Sequence, residues 1–276
     1  MRNFALVGRN VKGSASPAMM KAAFSSLGID ADYKLLNISE VEFESSVADI
    51  LRSYSGINVT MPYKSAILPY IQSTDAGASR IGAVNTIKVN GKTEGFNTDV
   101  LGILEPLRRE KIDPGRAILL GTGGAARAFC LAMEELDCRE ITVWDRNRLK
   151  SESFVNEMRR IFPSIRFSTI RLEYTSSYDL LFNATPMGGI DAPLQREIRK
   201  LVELVETVFD SVYFPIQTEL VRIGREAGCK TIEGYEMLLH QGAGAVRIWL
   251  NAEPPLGVMR ESVLRFLKER EQAFER

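Results

Sequence analysis

The stretch Ala117-Ile-Leu-Leu-Gly121-Thr-Gly123-Gly124-Ala125-Ala126 decides the fold of this chain. Four apolar residues, typical of a short buried strand, lead directly into a glycine-rich turn and then into a helix-forming sequence. Gly121 permits a tight turn, and Gly123 lets the backbone approach a phosphate group closely. We therefore predict a dinucleotide-binding turn in which Gly121, Gly123, Gly124 and Ala125 contact a pyrophosphate at the helix N-terminus, with Ala126 packing close to the strand.

The strand that follows this turn predicts the kind of dinucleotide. It spans Ile141–Trp144 and ends at Asp145, which lies 24 residues after Gly121 (145 − 121). A carboxylate at this place suits the free ribose 2′-hydroxyl of NAD, whereas Arg146 and Lys150 suit the 2′-phosphate of NADP. We expect Asp145 to turn aside, so that NADP is preferred and NAD is still accepted. A solvated helix start would also explain Arg148 and Lys150.

Strands and helices alternate along the rest of the chain, which predicts an α/β fold with mostly parallel sheets. The N-terminal half has predicted strands over 3–7, 33–38, 56–60 and 83–89, and helices that begin near Pro17, Ser39 and Pro62. Ser39 and Glu42 have the spacing of a capping box. Later strands are predicted over 117–120, 141–144, 180–183, 208–212 and 231–233, and helices over about 236–250 and 256–272.

This pattern predicts two domains with a cleft between them. The first half covers residues 1–102. A Rossmann domain that binds NAD(P) occupies 103–239. Open α/β sheets bind ligands at the carboxyl ends of their strands, so each domain offers one binding edge.

Composition excludes several classes of protein. The 276 residues carry 35 basic and 35 acidic side chains, and this balance argues against a nucleic-acid partner. The three cysteines lack C-x-x-C spacing, and the single histidine, His240, excludes two-histidine and three-histidine metal sites, so we expect no metal. No segment has the roughly 18 apolar residues of a membrane span, and the first residues lack a signal-peptide pattern. We expect a cytoplasmic protein.

A second polar segment lies in the N-terminal half, Gly56-Ile-Asn58-Val-Thr60-Met-Pro62-Tyr-Lys64. It follows a predicted strand, so its amide, hydroxyl and amine side chains belong at a ligand-binding edge. Considered alone, Lys64 would more often be a surface lysine.

The segment resembles the G-x-N-V-T-x-P-x-K signature of the shikimate dehydrogenases. Seven further blocks match this family in order, so that the resemblance covers residues 14–241. They are Ser14-Ala-Ser16-Pro17, Gly82-Ala-Val-Asn85-Thr86, Asn97-Thr98-Asp99-Val-Leu-Gly102, Gly121–Ala126, Asn183-Ala-Thr185-Pro186-Met187-Gly188, Asp210-Ser-Val-Tyr213 and Gly234-Tyr-Glu-Met237-Leu238-Leu-His240-Gln241. Eight weak or moderate blocks in the right order make a specific match.

The resemblance implies reversible hydride transfer between NADP and the C3 position of shikimate or 3-dehydroshikimate, in aromatic amino-acid biosynthesis (the route to chorismate). It implies that residues 1–102 are a substrate-binding catalytic domain, completed by C-terminal helices over about 240–276. It also implies that Lys64 and Asp99 are the catalytic pair. Positions that match the family's substrate contacts are Ser14, Ser16, Thr60, Asn85, Tyr213 and Gln241. Positions assigned to the cofactor, besides the glycine-rich turn, are Asp145, Arg146, Lys150, Thr185, Met187, Val212, Gly234 and Met237. The sequence leaves the oligomeric state open, a homodimer included.

Three departures from the family pattern stand out. Gly13 replaces a histidine before Ser14, and Met19 or Met20 replaces a histidine after the S-x-S-P turn. The family's Asn-Arg-Thr cofactor motif becomes Asp145-Arg146-Asn147. The first two departures leave the catalytic pair intact, whereas the third bears on cofactor choice.

Other functions compete with this interpretation. An NAD-linked quinate/shikimate dehydrogenase is favoured by Asp145. A non-catalytic, cofactor-binding regulator would have no need of Lys64 and Asp99, and a methyltransferase using S-adenosylmethionine would leave the substrate-side blocks unexplained. In the family a Ser-x-Ser pair accompanies shikimate, so we expect Ser14 and Ser16 to select shikimate over quinate. Ser16 also lies where a helix N-cap is predicted.

Overall fold

The computed structural model describes residues 1–170, 177–190 and 192–274. The chain divides into two compact units. Unit 1 comprises Met1–Leu101 together with Leu239–Arg276, and unit 2 comprises Gly102–Leu238. The two helices that carry the chain from one unit to the other, Asp99–Arg109 and Gly234–Leu250, are continuous across the division.

Unit 1 is built on a six-stranded mixed sheet with strand order β2-β1-β3-β5-β6-β4. Its strands are β1 (Arg2–Gly8), β2 (Ala31–Asn37), β3 (Gly56–Val59), β4 (Ser73–Thr74), β5 (Thr86–Val89) and β6 (Thr93–Phe96). Its helices are α1 (Ser16–Ser26), α2 (Glu40–Ser53), α3 (Ala76–Ile81), the first turn of α4 (Asp99–Arg109), most of α9 (Gly234–Leu250) and α10 (Leu256–Phe274), with a 3₁₀ turn at Leu68–Tyr70. β1 pairs in parallel with β2 and β3, whereas β5 pairs antiparallel with both β3 and β6.

Local sequence accounts for much of unit 1. The predicted capping box is confirmed: the Glu42 amide donates to the Ser39 hydroxyl, and the Glu42 carboxylate accepts from the Ser39 backbone N–H at 3.1 Å. The apolar face of α2, with Phe43, Val47 and Leu51, packs on the sheet. Each of these side chains contributes about 1.5–3 kcal/mol by leaving water.

The predicted helix after Pro62 is wrong. Residues 61–67 form a series of turns, and only the short 3₁₀ helix follows. The reason is that the Lys64 carbonyl accepts a hydrogen bond from the Val84 N–H at 2.8 Å instead of one from a later turn of its own helix. The strand predicted over 83–89 is shorter in the structure, where it begins at Thr86 as β5. Strands β4 and β6 were not predicted. As a result, the sheet of unit 1 is mixed rather than mostly parallel.

Unit 2 has a fully parallel six-stranded sheet with strand order β12-β11-β10-β7-β8-β9. Its strands are β7 (Arg116–Leu120), β8 (Glu140–Trp144), β9 (Arg166–Thr169), β10 (Tyr178–Asn183), β11 (Val205–Asp210) and β12 (Lys230–Ile232). Its helices are α5 (Gly124–Glu135), α6 (Arg148–Ile161), α7 (Arg196–Val202) and α8 (Glu219–Glu226), with the rest of α4 and the first turn of α9. The predicted α/β class and the strands of this half are confirmed, except that β9 was not predicted.

The order of these strands creates a switch point between β7 and β10. After β7 the chain continues to β8 and β9 on one side, and it later returns to β10 on the other side. Open parallel sheets bind ligands at such a point, outside the carboxyl ends of the strands. Among the described residues, no helix is long and apolar enough to cross a membrane.

Candidate active site

Lys64 and Asp99 form a hydrogen-bonded ion pair in unit 1, between Nζ of Lys64 and Oδ2 of Asp99. Only 16% of the Lys64 side chain and 6% of the Asp99 side chain are exposed. Charges shielded from water in this way interact more strongly than an exposed pair. The pair therefore holds the Lys64 nitrogen, which can donate or accept a proton, in one place.

Backbone hydrogen bonds of the sheet position Lys64. The Thr60 N–H donates to Val7 at 2.9 Å, and the Tyr63 N–H donates to Thr60 at 2.9 Å. Gly8 is necessary for this arrangement, since a Cβ atom there would collide with the Thr60 side chain. The chain thus leaves β3 through a tight turn that directs Lys64 toward the start of α4, where Asp99 lies.

Asp99 is held on three sides. The Asn85 amide donates to Oδ1 of Asp99 at 2.7 Å, and the Asp99 N–H donates to Oδ1 of Asn97 at 3.1 Å. Asp99 is also the first residue of α4, where the helix dipole favours a negative charge. Asn85, predicted as a substrate contact, therefore orients the carboxylate of the predicted catalytic pair.

Ser14 and Ser16 lie together at the start of α1. The Ser14 hydroxyl is 3.1 Å from the Ser16 hydroxyl, and the Ser16 N–H donates to Ser14 Oγ at 3.2 Å. The prediction that Ser16 is the N-cap is wrong. Ala15 occupies that position, in helical rather than extended backbone, and Ser16 is already the first helical residue. The Ser16 hydroxyl therefore makes no cap, and both hydroxyls lie side by side.

Glycines bring helix α9, which carries Gln241, against the other elements of unit 1. A Cβ atom at Gly242 would collide with Met19 of α1, and one at Gly244 would lie 3.1 Å from Thr98, next to Asp99. The half-buried Gln241 is thus on a helix that packs against the helices bearing Ser16 and Asp99. Met19 and Met20, which replace a family histidine, are fully buried core residues.

Gly13, which replaces the other family histidine, has a partner from the C-terminal helix. The Arg270 guanidinium donates to the Gly13 carbonyl at 2.6 Å and occupies the space that a side chain at position 13 would need. A cation from α10 thus lies beside the residue that precedes Ser14.

The glycine-rich turn of unit 2 has the backbone shape that phosphate binding requires. Gly121 has φ +97°, and a Cβ atom there would lie 2.7 Å from the Thr185 methyl group. Gly123 is the N-cap of α5, and no atom lies within 4 Å of the position of a Cβ there. The exposed N–H groups at the start of α5 can therefore face a pyrophosphate.

Both carboxylate oxygens of Asp145 are engaged inside unit 2. Oδ2 accepts from the Thr122 hydroxyl at 3.0 Å, and Oδ1 accepts from the Asn147 N–H at 2.9 Å. The side chain of Asn147 in turn caps α6 by accepting from the Lys150 N–H. Asp145 therefore organises the turn between β8 and α6.

The basic residues after Asp145 differ in their environments. Arg148 pairs with Glu152 one turn later at 2.8 Å, so it belongs to the helix surface. The side chains of Arg146 and Lys150 are exposed and form no ion pair with another described residue. Within this turn and the first turn of α6, both side chains are therefore available to a phosphate.

A buried polar network shapes the loops after β10 and β11. The Asn183 amide donates to Asp210 Oδ1 at 2.8 Å and to the Met187 carbonyl at 2.9 Å. Asn183 Oδ1 accepts from both the N–H and the hydroxyl of Thr185. Asp210 Oδ1 also accepts from the Val212 N–H at 3.0 Å. The network thus places three predicted cofactor residues, Thr185, Met187 and Val212.

Burial raises the pKa of Asp210 to about 7, although hydrogen bonds from Thr218, Val212 and Asn183 favour the charged form. The Thr218 bond to Oδ2, at 2.6 Å, links the network to the N-cap of α8. Gly234 lies so close to Val212 that no side chain would fit there, and Met237 is buried three residues later.

The candidate residues therefore form three groups. In unit 1, Lys64, Asp99 and Asn85 bond directly, and Ser14 bonds to Ser16. In unit 2, the glycine-rich turn and the loops after β8, β10 and β11 carry the predicted cofactor residues and the half-buried Tyr213. Sequence reasoning assigned no role to Tyr33, Thr86, Asn97, Thr98, Thr122, Asn183 or Asp210. It placed the Asn58 amide at a ligand-binding edge, whereas this amide is buried and bonds to Tyr33 and Thr86. Most of these residues lie within the quoted family blocks, but their hydrogen bonds depend on strand register.

Comparison with known proteins identifies relatives over nearly the whole chain. Residues 6–87 match the shikimate dehydrogenase substrate binding domain, and residues 234–264 match the shikimate 5′-dehydrogenase C-terminal domain. A shikimate dehydrogenase (NADP⁺) of Archaeoglobus fulgidus is 35% identical over 268 residues, which cover 95% of this chain and 98% of the relative.

Solved structures agree with these matches. Shikimate 5-dehydrogenase from Thermus thermophilus, in complex with NADP(H) and shikimate, has a TM-score of 0.84 and 34% identity, covering 97% of this chain and 100% of that one. Quinate dehydrogenase from Corynebacterium glutamicum, in complex with NAD, has a TM-score of 0.84 and 27% identity, covering 96% and 99%.

Proposed function

The chain belongs to the shikimate dehydrogenase family, and we propose that it catalyses the reversible, NADP-linked reduction of 3-dehydroshikimate to shikimate. The observation that carries this proposal is the Lys64–Asp99 pair held by Asn85. These residues occupy family blocks, and they bond to one another at the binding edge of unit 1. Unit 1 is accordingly the substrate-binding unit in this proposal, and unit 2 binds the cofactor.

The reaction needs one proton transfer at the C3 oxygen. In the reduction, the Lys64 ammonium group donates a proton to the oxygen that becomes the C3 hydroxyl, and its charge stabilises the developing alkoxide. In the oxidation, neutral Lys64 accepts that proton. Asp99 keeps Nζ in position and offers a carboxylate oxygen to a substrate hydroxyl. No step requires a metal ion.

The substrate carboxylate belongs at Ser14 and Ser16. Two adjacent hydroxyl groups at the N-terminal end of α1 can both donate to one carboxylate, and the helix dipole adds attraction there. Hydrogen bonds to a charged group contribute about 1.5–3 kcal/mol each. Thr60, Asn85, Gln241 and Tyr213 are the proposed partners of the ring hydroxyls and of the rest of the substrate.

The residues of unit 2 fit NADP. The open backbone at Gly123 and the N-terminus of α5 suit a pyrophosphate, and exposed Arg146 and Lys150 suit a 2′-phosphate. Asp145 is held by Thr122 and Asn147, so its charge is directed into its own turn. When bound, the nicotinamide supplies or accepts the hydride. Thr185, Met187, Val212, Gly234 and Met237 would line its site.

A second function has specific support. Asp145 lies at the end of β8, where a carboxylate can bind the ribose hydroxyls of NAD, and quinate dehydrogenase with NAD is among the similar structures. Quinate carries an extra hydroxyl on the carbon that bears its carboxylate. Beside Ser14 and Ser16 this hydroxyl would be crowded or unpaired, at a cost of about 1–3 kcal/mol.

One assay separates the two functions. Purified protein is supplied with shikimate or quinate and with NADP or NAD, and cofactor reduction is followed by absorbance. We expect kcat/KM to be highest for shikimate with NADP, and about 5- to 150-fold lower for quinate, since 1.4 kcal/mol is a factor of ten. Equal values, or a preference for quinate with NAD, would establish the alternative. No turnover with any pair would reject both.

The cellular setting forms part of the proposal. We place the enzyme in the cytoplasm, in aromatic amino-acid biosynthesis, with small molecules rather than nucleic acids as its partners. The balanced charge and three cysteines that are all free thiols support this assignment.

A further inference from the structure

A line of buried polar side chains crosses the sheet of unit 1 and ends at Asp99. The Tyr33 hydroxyl donates to Oδ1 of Asn58 at 2.8 Å, and Nδ2 of Asn58 donates to Oγ1 of Thr86 at 3.0 Å. The Thr86 hydroxyl donates to Oδ1 of Asn85 at 3.0 Å. Asn85 then donates to Asp99, the partner of Lys64. Exposed fractions of these residues, from Tyr33 to Asp99, are 0–4%.

Strand register places the members of this line side by side. Asn58 of β3 and Thr86 of β5 are direct partners in the antiparallel pairing. Tyr33 lies on β2, at the edge of the sheet, and its side chain reaches across β1 to Asn58. Tyr33 therefore joins the line although 25 residues of sequence separate it from Asn58.

Two backbone groups set the direction of these hydrogen bonds. The Asn85 carbonyl can only accept, so the Asn58 atom 3.3 Å from it is the nitrogen, and the Asn58 oxygen faces Tyr33. The Thr98 N–H can only donate, so the Asn85 atom 2.7 Å from it is the oxygen. The amide nitrogen of Asn85 therefore faces Asp99.

The Thr86 hydroxyl has only one proton, and this fixes the direction of the hydrogen bonds that link Asn58 to Asn85. Its oxygen accepts from Asn58, so its proton goes toward the Asn85 oxygen, either directly or by way of the Thr98 hydroxyl at 3.0 Å. Every donor from Tyr33 onward points toward Asp99. Hydrogen bonds aligned in this way in a low-dielectric interior polarise and strengthen one another.

We propose that Tyr33, Asn58 and Thr86 are positioning residues for the reaction, acting through Asn85 to hold the Asp99 carboxylate against Lys64. This inference rests on the proposed function. Tyr33 and Thr86 do not touch the reacting atoms. Their hydroxyl groups bond to the Asn58 and Asn85 amides and hold these amides in the orientation that the backbone groups select. They therefore affect how firmly Asp99 keeps the Lys64 nitrogen at the C3 oxygen.

The test uses variants that change one hydroxyl at a time. Thr86→Val removes the link between Asn58 and Asn85 and keeps the side-chain shape, so kcat should fall about tenfold. Thr86→Ser retains the hydroxyl and should restore kcat to within about twofold of wild type. Tyr33→Phe removes the first donor, and kcat should fall about threefold. KM for shikimate and for NADP should change by less than about twofold in each variant.

A matched control addresses a purely structural role. Tyr178 is also fully buried, and its hydroxyl contacts Thr142 at 3.2 Å in unit 2, outside this line. Tyr178→Phe should leave kcat unchanged once rates are divided by the concentration of active enzyme, obtained from an NADPH-binding titration. The solvent deuterium isotope effect on kcat should rise in Thr86→Val and Tyr33→Phe, because proton transfer limits the rate more strongly. A loss of stability alone would not raise it.

A double variant tests whether the residues act as one line. In the Thr86→Val background, Tyr33→Phe should have no further effect on kcat, since the line is already broken. Independent, multiplicative losses would overturn the proposal, as would wild-type kcat and isotope effect in Thr86→Val. The wild-type enzyme is measured with shikimate and NADP in the same assay. If the wild-type enzyme is inactive in that assay, the proposed function fails. If the wild-type enzyme is active and the variants are unaffected, only the positioning role fails.

Discussion

The two proposed binding regions are built in different ways. In unit 1, charged and amide side chains bond to one another: Lys64 to Asp99, and Asp99 to Asn85. In unit 2, the surface offered to the cofactor includes open backbone at Gly123, while Gly121 and Gly234 let neighbouring loops pack closely. Side-chain networks position a reacting group, whereas open backbone binds a phosphate irrespective of the chemistry that follows. Substitutions in unit 1 should therefore act on kcat, and those in unit 2 on the KM of the cofactor.

The largest effect is expected from Lys64→Ala. Loss of the proton donor should lower kcat by at least about 100-fold, with a much smaller change in KM for shikimate, whose carboxylate and hydroxyls keep their partners. Steady-state kinetics at saturating NADP measures both. Lys92→Ala is the control, because Lys92 is an exposed lysine in the turn at the far end of the β5–β6 hairpin. Near-normal kcat for Lys64→Ala would contradict its assignment.

Gly123→Ala should affect only cofactor binding. Its φ is −86° and no atom lies within 4 Å of the new methyl group, so the protein should fold normally. The methyl group would separate the backbone from the pyrophosphate and raise KM for NADP by about 10- to 30-fold. Gly257→Ala, equally uncrowded in α10, is the control for stability and kinetics. An unchanged KM would mean that the phosphate does not approach Gly123.

Arg146→Ala should distinguish between the two cofactors. Loss of one charged hydrogen bond to the 2′-phosphate should raise KM for NADP about tenfold and leave KM for NAD nearly unchanged. Arg148→Ala, which removes an arginine paired with Glu152, should change neither value. If Arg146→Ala affects NADP and NAD equally, Arg146 does not bind the phosphate.

The smallest predicted effect is on how the free energy of unfolding changes with pH. Since burial raises the pKa of Asp210 to about 7, the folded protein binds a proton that the unfolded chain has already released above about pH 4. Asp210 should therefore contribute a decrease in the free energy of unfolding as pH rises from about 5 to 7. Urea unfolding at several pH values measures this slope. Asp210→Asn should flatten it relative to wild type, and the exposed control Asp113→Asn should not. An identical slope in both variants would argue against a raised pKa.

Much of the fold follows from local patterns. The strand and glycine turn at Ala117–Ala126, the capping box at Ser39 and both C-terminal helices lie where the sequence predicts them. Each depends on contacts within a few residues, so composition and spacing suffice. The predicted helix after Pro62 does not form because the Lys64 carbonyl accepts from the Val84 N–H. Val84 lies 20 residues further along the chain (84 − 64), so this hydrogen bond is not a local feature of the sequence.

The candidate site divides in the same way. Sequence by itself predicted roles for Lys64, Asp99 and the glycine-rich turn, because the family blocks preserve residue type and order. Only the tertiary structure decided that Asn85 bonds to Asp99, that Tyr33 reaches Asn58, and that Arg270 lies against Gly13. These contacts join residues 14, 25 and 257 positions apart. Strand register and helix packing bring them together, and no pattern along the chain encodes which distant polar groups will meet.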